Sequence, residues 1–110
     1  MSELKKETIE FLKLLADQSR LDILDLLYHG KKTSSEIQSA LKKSQSTISQ
    51  HLKALTSKNL IIFDRIVLNN QTIKHYKIRN MDVFKLLADI RSFVARINMS
   101  NEDILHTLGI

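Results

Sequence analysis

The chain has 110 residues, 43% hydrophobic and 26% charged, with two Gly, no Pro, no Cys and a formal net charge of +5. That size supports one modest core, so a single domain over residues 1–110 is expected; no apolar run approaches the roughly 18 residues of a membrane span, and the lack of Cys excludes disulfides, thiolate nucleophiles and cysteine-based metal sites. The positive charge is local: residues 31–79 hold ten Lys or Arg against only Glu36 and Asp64, net +8, while the flanks 1–30 and 80–110 carry −2 and −1, and such a confined field is the footprint of a polyanion-binding surface.

Leu4 to Ala16 sets Leu4, Ile9, Phe11, Leu12, Leu14 and Leu15 on an approximate helical stripe, predicting a first helix over about 3–16. Its charged start, Met1 to Glu7, has no apolar segment with a small-residue cleavage site, so the cytoplasm is the expected compartment. Asp17 can cap a second helix with Leu21, Leu24, Leu27 and Tyr28 at three-to-four spacing, ending near His29 at Gly30. Thr33-Ser34-Ser35-Glu36 is a capping-box pattern ahead of Ile37, Ala40 and Leu41, which predicts a short third helix. Ser44-Gln45-Ser46-Thr47 opens a fourth, with Ile48, Leu52 and Leu55 as its buried line and Lys58-Asn59 as its end. Two short helices so briefly connected are a helix-turn-helix, over about 33–58.

From Ile61 to Arg79 the pattern turns β-branched around Asn69-Asn70, a dipeptide that tolerates positive φ; a hairpin, and so a wing, is predicted over about 61–79. Asn80 is the expected cap of a long helix over about 81–97. Its line is Val83, Leu87, Ile90, Val94 and Ile97, widened by Leu86 and Phe93. So wide an apolar arc exceeds what one small domain covers. Leu4, Phe11, Leu12, Val83, Leu87, Ile90, Val94 and Ile97 are therefore the expected interface of a two-fold homodimer, with a fully internal core helix as the competing reading. Ser100 to Leu108 reads as a short last helix or a frayed tail. The fold class is thus mainly α with a small β-hairpin, a winged helix-turn-helix that dimerises through its terminal helices.

On the fourth helix, Ser46, Ser49, Gln50, Lys53 and Ser57 lie opposite the buried line. Short hydroxyls let a helix approach a groove floor, Gln can pair with adenine, and Lys meets phosphate or guanine. Gln45 and Ser46 add backbone amides at the positive end of the helix dipole. Any solvated helix carries such a face; what makes this one a DNA-reading candidate is its place between a helix-turn-helix and a basic hairpin. There Arg65, Lys74, Lys77 and Arg79, with Asn69, Asn70 and Gln71 at the tip, can reach a neighbouring groove or backbone. Lys42 and Lys43 flank the groove entry. His51 borders the buried stripe, where either helix anchoring or phosphate contact is open to it.

The strings Leu15-Ala16-Asp17-Gln18-Ser19-Arg20-Leu21-Asp22-Ile23-Leu24, Ser44-Gln45-Ser46-Thr47-Ile48-Ser49-Gln50-His51-Leu52-Lys53-Ala54-Leu55 and Asn59-Leu60-Ile61 resemble the ArsR/SmtB family of winged-helix repressors over residues from about 10 to 97. The resemblance implies a homodimer built from the first and last helices, recognition helices in successive major grooves of double-stranded DNA, and operator binding that blocks transcription. It places Ser44, Gln45, Ser46, Thr47, Ser49, Gln50 and His51 at the DNA, with Gln50 where many members carry His and Gln18 where many carry Pro.

The family's best-known members release DNA on binding metal, and here this chain departs from them. The sensor on their third helix needs Cys, where this sequence has Thr33-Ser34-Ser35-Glu36; the sensor on their last helix needs an Asp with a His two residues on, where Asp82 is followed by Val83 and Phe84. Carboxylates alone, such as Asp82 and Asp89, suit hard cations weakly. His29, His51, His75 and His106 sit on four elements without ligand spacing. No metal site and no cofactor are expected. No nucleophile has an adjacent base and no glycine loop can cradle a phosphate, so an enzyme is not expected either. A small-molecule effector has no residue that identifies it. Two other functions fit the same composition: a winged-helix module that meets an acidic protein partner, and a protein that coats chromatin without sequence preference.

Overall fold

The computed structural model describes residues 2–99 and Gly109; the segment Ser100 to Leu108, read above as a helix or tail, lies outside them. Eight elements follow one another: α1 (Ser2–Leu15), α2 (Gln18–Tyr28), β1 (Lys32–Thr33), α3 (Ser34–Leu41), α4 (Gln45–Ser57), β2 (Ile61–Leu68), β3 (Gln71–Ile78) and α5 (Asp82–Ile97). The chain divides into two compact units, one through Asn80 and one from Met81 onward.

Side-chain caps set the starts of the three helices in the middle of the first unit. Asp17 accepts from the Arg20 N–H at 3.1 Å. Thr33 and Glu36 form a reciprocal capping box, with Thr33 N–H donating to Glu36 Oε1 and Glu36 N–H to Thr33 Oγ1. Ser44 accepts from Thr47 N–H. Each side chain satisfies a backbone donor that the first helical turn leaves without a partner. Ends are equally specific: α2 stops before Gly30 at φ 133°, α3 at Lys42 at φ 56°, and α4 before Asn59 at φ 63°, where Leu60 N–H reaches back to Leu55 O.

The core of this unit is apolar throughout. Ile23, Leu24, Ile37, Ile48, Leu55 and Ile61 are fully enclosed, with Leu14, Leu15, Leu27, Leu52 and Leu60 around them. Each such side chain contributes roughly 1.5–3 kcal/mol on burial. On α2, Ile23 takes the inward place read above for Tyr28, which is exposed.

The sheet has three antiparallel strands in the order β1-β3-β2. Strand β1 was not anticipated: Lys32 pairs with Tyr76 and Thr33 with His75, so Thr33 both ends a strand and caps α3. Strands β2 and β3 form the expected hairpin, from Ile61↔Ile78 to Leu68↔Gln71, closed by Asn69 and Asn70 at φ 53° and 62°. Two consecutive left-handed residues make the two-residue turn whose twist matches the strands.

In the second unit, α5 begins at Asp82 with Met81 at the cap position, one residue later than the Asn80 cap expected. Met81 is already right-handed, and its carbonyl accepts from Phe84 N–H, so the first turn forms without a side-chain cap from Met81. Val83 and Leu87 are buried, at 7% and 6% exposure. The apolar side chains that α5 leaves exposed are Leu86, Ile90, Phe93, Val94 and Ile97, within an arc of about 100°. On α1, Leu4, Ile9 and Leu12 are exposed and Phe11 is half-buried.

Candidate nucleic-acid interface

Helix α4 buries Ile48, Leu52 and Leu55 and exposes Ser46, Ser49, Gln50, Lys53 and Ser57. At its start the Ser44 hydroxyl donates to Thr47 Oγ1 at 2.9 Å and lies 3.3 Å from the Ser46 hydroxyl, so three hydroxyls crowd the positive end of the helix dipole. Gln45 is exposed beside them. In the turn that leads in, Lys42 and Lys43 are both exposed, and the Lys43 N–H donates to Gln38 O, which fixes the turn.

His51 faces inward from this surface. Its side chain is 14% exposed, and Nδ1 accepts from Arg20 Nε at 3.1 Å while Nε2 stands 4.0 Å from Asp17 Oδ1. Arg20 Nη1 also donates to Leu14 O. Of the two roles open to His51 in the sequence, its hydrogen bond is that of an anchor, tying α4 to the start of α2. The Arg20 backbone N–H holds the Asp17 carboxyl below the usual carboxylate range.

The hairpin separates its charges by face. On one face Asp64 pairs with Lys31 Nζ at 2.6 Å and Lys77 Nζ at 3.4 Å, which depress its carboxyl, Lys31 foremost. On the other, Arg65 and Lys74 stand directly opposite each other, next to the pair Phe63↔Tyr76. Like charges in that position repel. Here both lie over the Phe63 ring, Lys74 Nζ 4.6 Å and Arg65 Cζ 5.4 Å from its centroid, and Tyr76 packs on the same ring at 5.5 Å. Burial pushes the Tyr76 hydroxyl up. Arg79, at the base of the hairpin, donates to Asn59 Oδ1 at 3.2 Å.

Between α4 and this face runs a groove of about 480 Å³, lined by Ser49, Lys53, Thr56, Ser57, Phe63, Lys74 and Tyr76. Among the described residues, Lys53, Arg65 and Lys74 take part in no ion pair. The buried Thr56 hydroxyl in the groove wall has no hydrogen-bond partner among them. The groove thus brings Ser49 and Lys53 together with Lys74. Asn69, Asn70 and Gln71 sit apart from it at the exposed hairpin tip. Phe63, Thr56 and Tyr76 were missed, although counting outward from an Asn69-Asn70 turn pairs Arg65 with Lys74 and Phe63 with Tyr76. Among the described residues no three His, Cys, Asp or Glu gather closely enough to hold a metal ion, and no helix is long and apolar enough to cross a membrane.

The sequence profile described as "Bacterial regulatory protein, arsR family" matches residues 17–62. The arsenical resistance operon repressor of Staphylococcus aureus is 41% identical over 56 residues, 51% of this chain. The chain spans about half the length of that relative, 54%. The arsenical resistance operon repressor of Bacillus subtilis (strain 168) is 33% identical over 89 residues, 80% of this chain and 81% of that protein. Among solved structures, the homodimeric winged helix-turn-helix DNA-binding domain of a possible ArsR-family transcriptional regulator from Mycobacterium bovis superposes with a TM-score of 0.73 at 31% identity, covering 90% of this chain and 87% of that one.

Fold and relatives together define a class, the winged helix-turn-helix transcriptional regulators of the DNA-binding kind. Within that class the chain belongs to the ArsR family of bacterial regulatory proteins.

Proposed function

We propose that the chain acts in the cytoplasm as a homodimeric repressor, with α4 in the major groove of double-stranded DNA and the hairpin on the neighbouring backbone and groove. The observation that carries this reading is a groove lined by Lys53 and Lys74, with Arg65 directly across from Lys74 and all three without a carboxylate partner among the described residues, beside the exposed Ser46, Ser49 and Gln50. Two cations in a concavity, with a third opposite one of them, fit a backbone phosphate, and the hydroxyls and amide next to it fit base edges. In this reading Lys42, Lys43, Lys53, Arg65 and Lys74 supply affinity. Gln45, Ser46, Thr47, Ser49 and Gln50 supply position and discrimination, and Asn69, Asn70 and Gln71 meet the DNA beyond the groove.

The exposed apolar side chains of α1 and of α5 are the surfaces for a second copy, with Leu4, Leu12, Ile90, Val94 and Ile97 at the contact. The homodimeric Mycobacterium bovis domain supports this, and the names of the Staphylococcus aureus and Bacillus subtilis relatives support repression. The chain is not a metal sensor of its family's thiolate type, since it has no Cys to bind a soft ion. The reading assigns the chain no catalysis: among the described residues no hydroxyl of the groove is hydrogen-bonded to a basic side chain, and that of Ser57 donates to Ala54 O.

Selection of bound duplexes from a random pool, near physiological salt, tests the reading. An inverted repeat with half-sites about one helical turn apart is the expected result. Recovery of no motif, with binding that vanishes as salt rises, would overturn it in favour of a nonspecific coat or a protein partner.

A further inference from the structure

We propose that the tip of the hairpin is an apolar wedge that enters the DNA minor groove and bends the duplex. The inference rests on the reading above that the chain binds duplex DNA, and it adds a deformation step to it.

Beyond the opposed cations Arg65 and Lys74 the hairpin continues through three more pairs, Ile66↔Ile73, Val67↔Thr72 and Leu68↔Gln71, before it turns. At about 3.4 Å per residue the tip projects roughly 10 Å past those cations, more than the roughly 7.5 Å depth of a minor groove. Just before the Asn69-Asn70 turn it carries exposed apolar side chains: Val67 is 71% exposed and Leu68 58%. An element meant only to rest on phosphates has no use for such side chains beside its turn, where Lys or Ser would bind better.

The surroundings identify the occupant. From Arg65 to Lys74 the sequence has two cations, three amides and no acid. The hairpin's one carboxylate, Asp64, is below them on the opposite face, held by Lys31 and Lys77. Exposed apolar side chains flanked by amides and set above two cations, with no acid among them, complement a groove walled by phosphates. Asn69, Asn70 and Gln71 can donate to the acceptors that line A·T pairs. A two-stranded tip with strands about 4.8 Å apart is too wide for an undeformed minor groove about 6 Å across once its backbone atoms are counted, so entry requires that the groove open. Opening unstacks a base step, and the faces it uncovers are what Val67 and Leu68 cover. Flexible pyrimidine–purine steps yield most readily, so the proposal also assigns the hairpin a preference for those steps beyond what its amides read.

The test measures energy transfer between the ends of a labelled duplex carrying the selected half-sites, with wild type and the double variant Val67→Thr/Leu68→Thr. Threonine keeps the β propensity of the strand, so the hairpin is retained. Wild type should bend the duplex on the order of 20–90°. The variant should bind roughly tenfold more weakly, as expected when two apolar anchors are withdrawn from the base faces, and lose most of the bend. Its salt dependence should stay unchanged, because every cation remains. Lys74→Ala should behave in reverse, with a shallower salt dependence and the bend retained. Wild-type binding without bending, an equal bend by the double variant, or Val67- and Leu68-dependent binding to anionic vesicles with no duplex bend would each overturn the wedge. Failure of the wild type to bind any duplex would sink the proposed function with it, whereas binding without bending sinks the wedge alone.

Discussion

Arg20 Nε donates a hydrogen bond to His51 Nδ1 at 3.1 Å, joining the first turn of α2 to the middle of α4 across 31 residues of sequence. The same guanidinium donates to Leu14 O, so one side chain ties the end of α1, the start of α2 and α4 together. Arg20→Ala should therefore cost about 1–3 kcal/mol in chemical denaturation, the range for losing charged hydrogen bonds and leaving a partly buried acceptor unmet. DNA affinity should fall without a change in its salt dependence, because no phosphate contact is removed. A change in that dependence would mean that Arg20 itself reaches the backbone.

Asp17 gives a prediction with a pH sign. The Arg20 backbone N–H lowers its carboxyl below the ordinary value, so the stability it contributes is present above the unfolded pKa of about 3.9 and is lost as pH falls through the lower folded one. Asp17→Asn keeps a capping oxygen and should match wild type near neutrality, yet lose less stability than wild type when titrated to acid. Asp17→Ala should cost about 1 kcal/mol near neutrality. Thermal melts across the acid range separate the two.

Lys42 holds a left-handed conformation, which costs a residue with a Cβ on the order of 1 kcal/mol. Lys42→Gly should raise the unfolding midpoint and at the same time weaken duplex binding, a trade that marks strain kept for contact. Unchanged binding would remove Lys42 from the interface.

Gln50 and Lys53 are exposed on the same helix and should fail differently. Gln50→Ala should narrow the gap between selected and random duplexes by about 1–3 kcal/mol and leave the salt slope alone; Lys53→Ala should weaken both classes equally and make the slope shallower by about one for each phosphate that Lys53 neutralises. Loss of affinity for all sequences on changing Gln50 would count against its base-reading role.

What was legible in the sequence is what local chemistry decides. Asp17, Thr33 with Glu36, and Ser44 could be read as caps because a cap depends on three or four neighbouring residues. Asn69-Asn70 announced the turn and with it the whole register of the hairpin. What was hidden depends on distant segments. Strand β1 is two residues long and exists only because Tyr76 and His75 lie alongside. The Arg20–His51 bond has no local signal. The arc of α5 looks continuous from Val83 to Ile97, and nothing in its periodicity distinguishes the buried Val83 and Leu87 from the exposed Phe93 and Ile97. The one-residue difference at Asn80 and Met81 is the ordinary blur of a helix end.

Thr33 belongs to two elements with no residue between them: its backbone pairs with His75 in the sheet and its hydroxyl caps α3. No hinge can therefore sit between the base of the hairpin and the helix-turn-helix. To swing at that point the sheet must release Thr33, and the first turn of α3 is exposed to uncapping in the same event. In amide exchange the amides at the Thr33–His75 junction and those of the first turn of α3 should consequently open together, as one cooperative block, while the tip beyond Arg65 frays on its own.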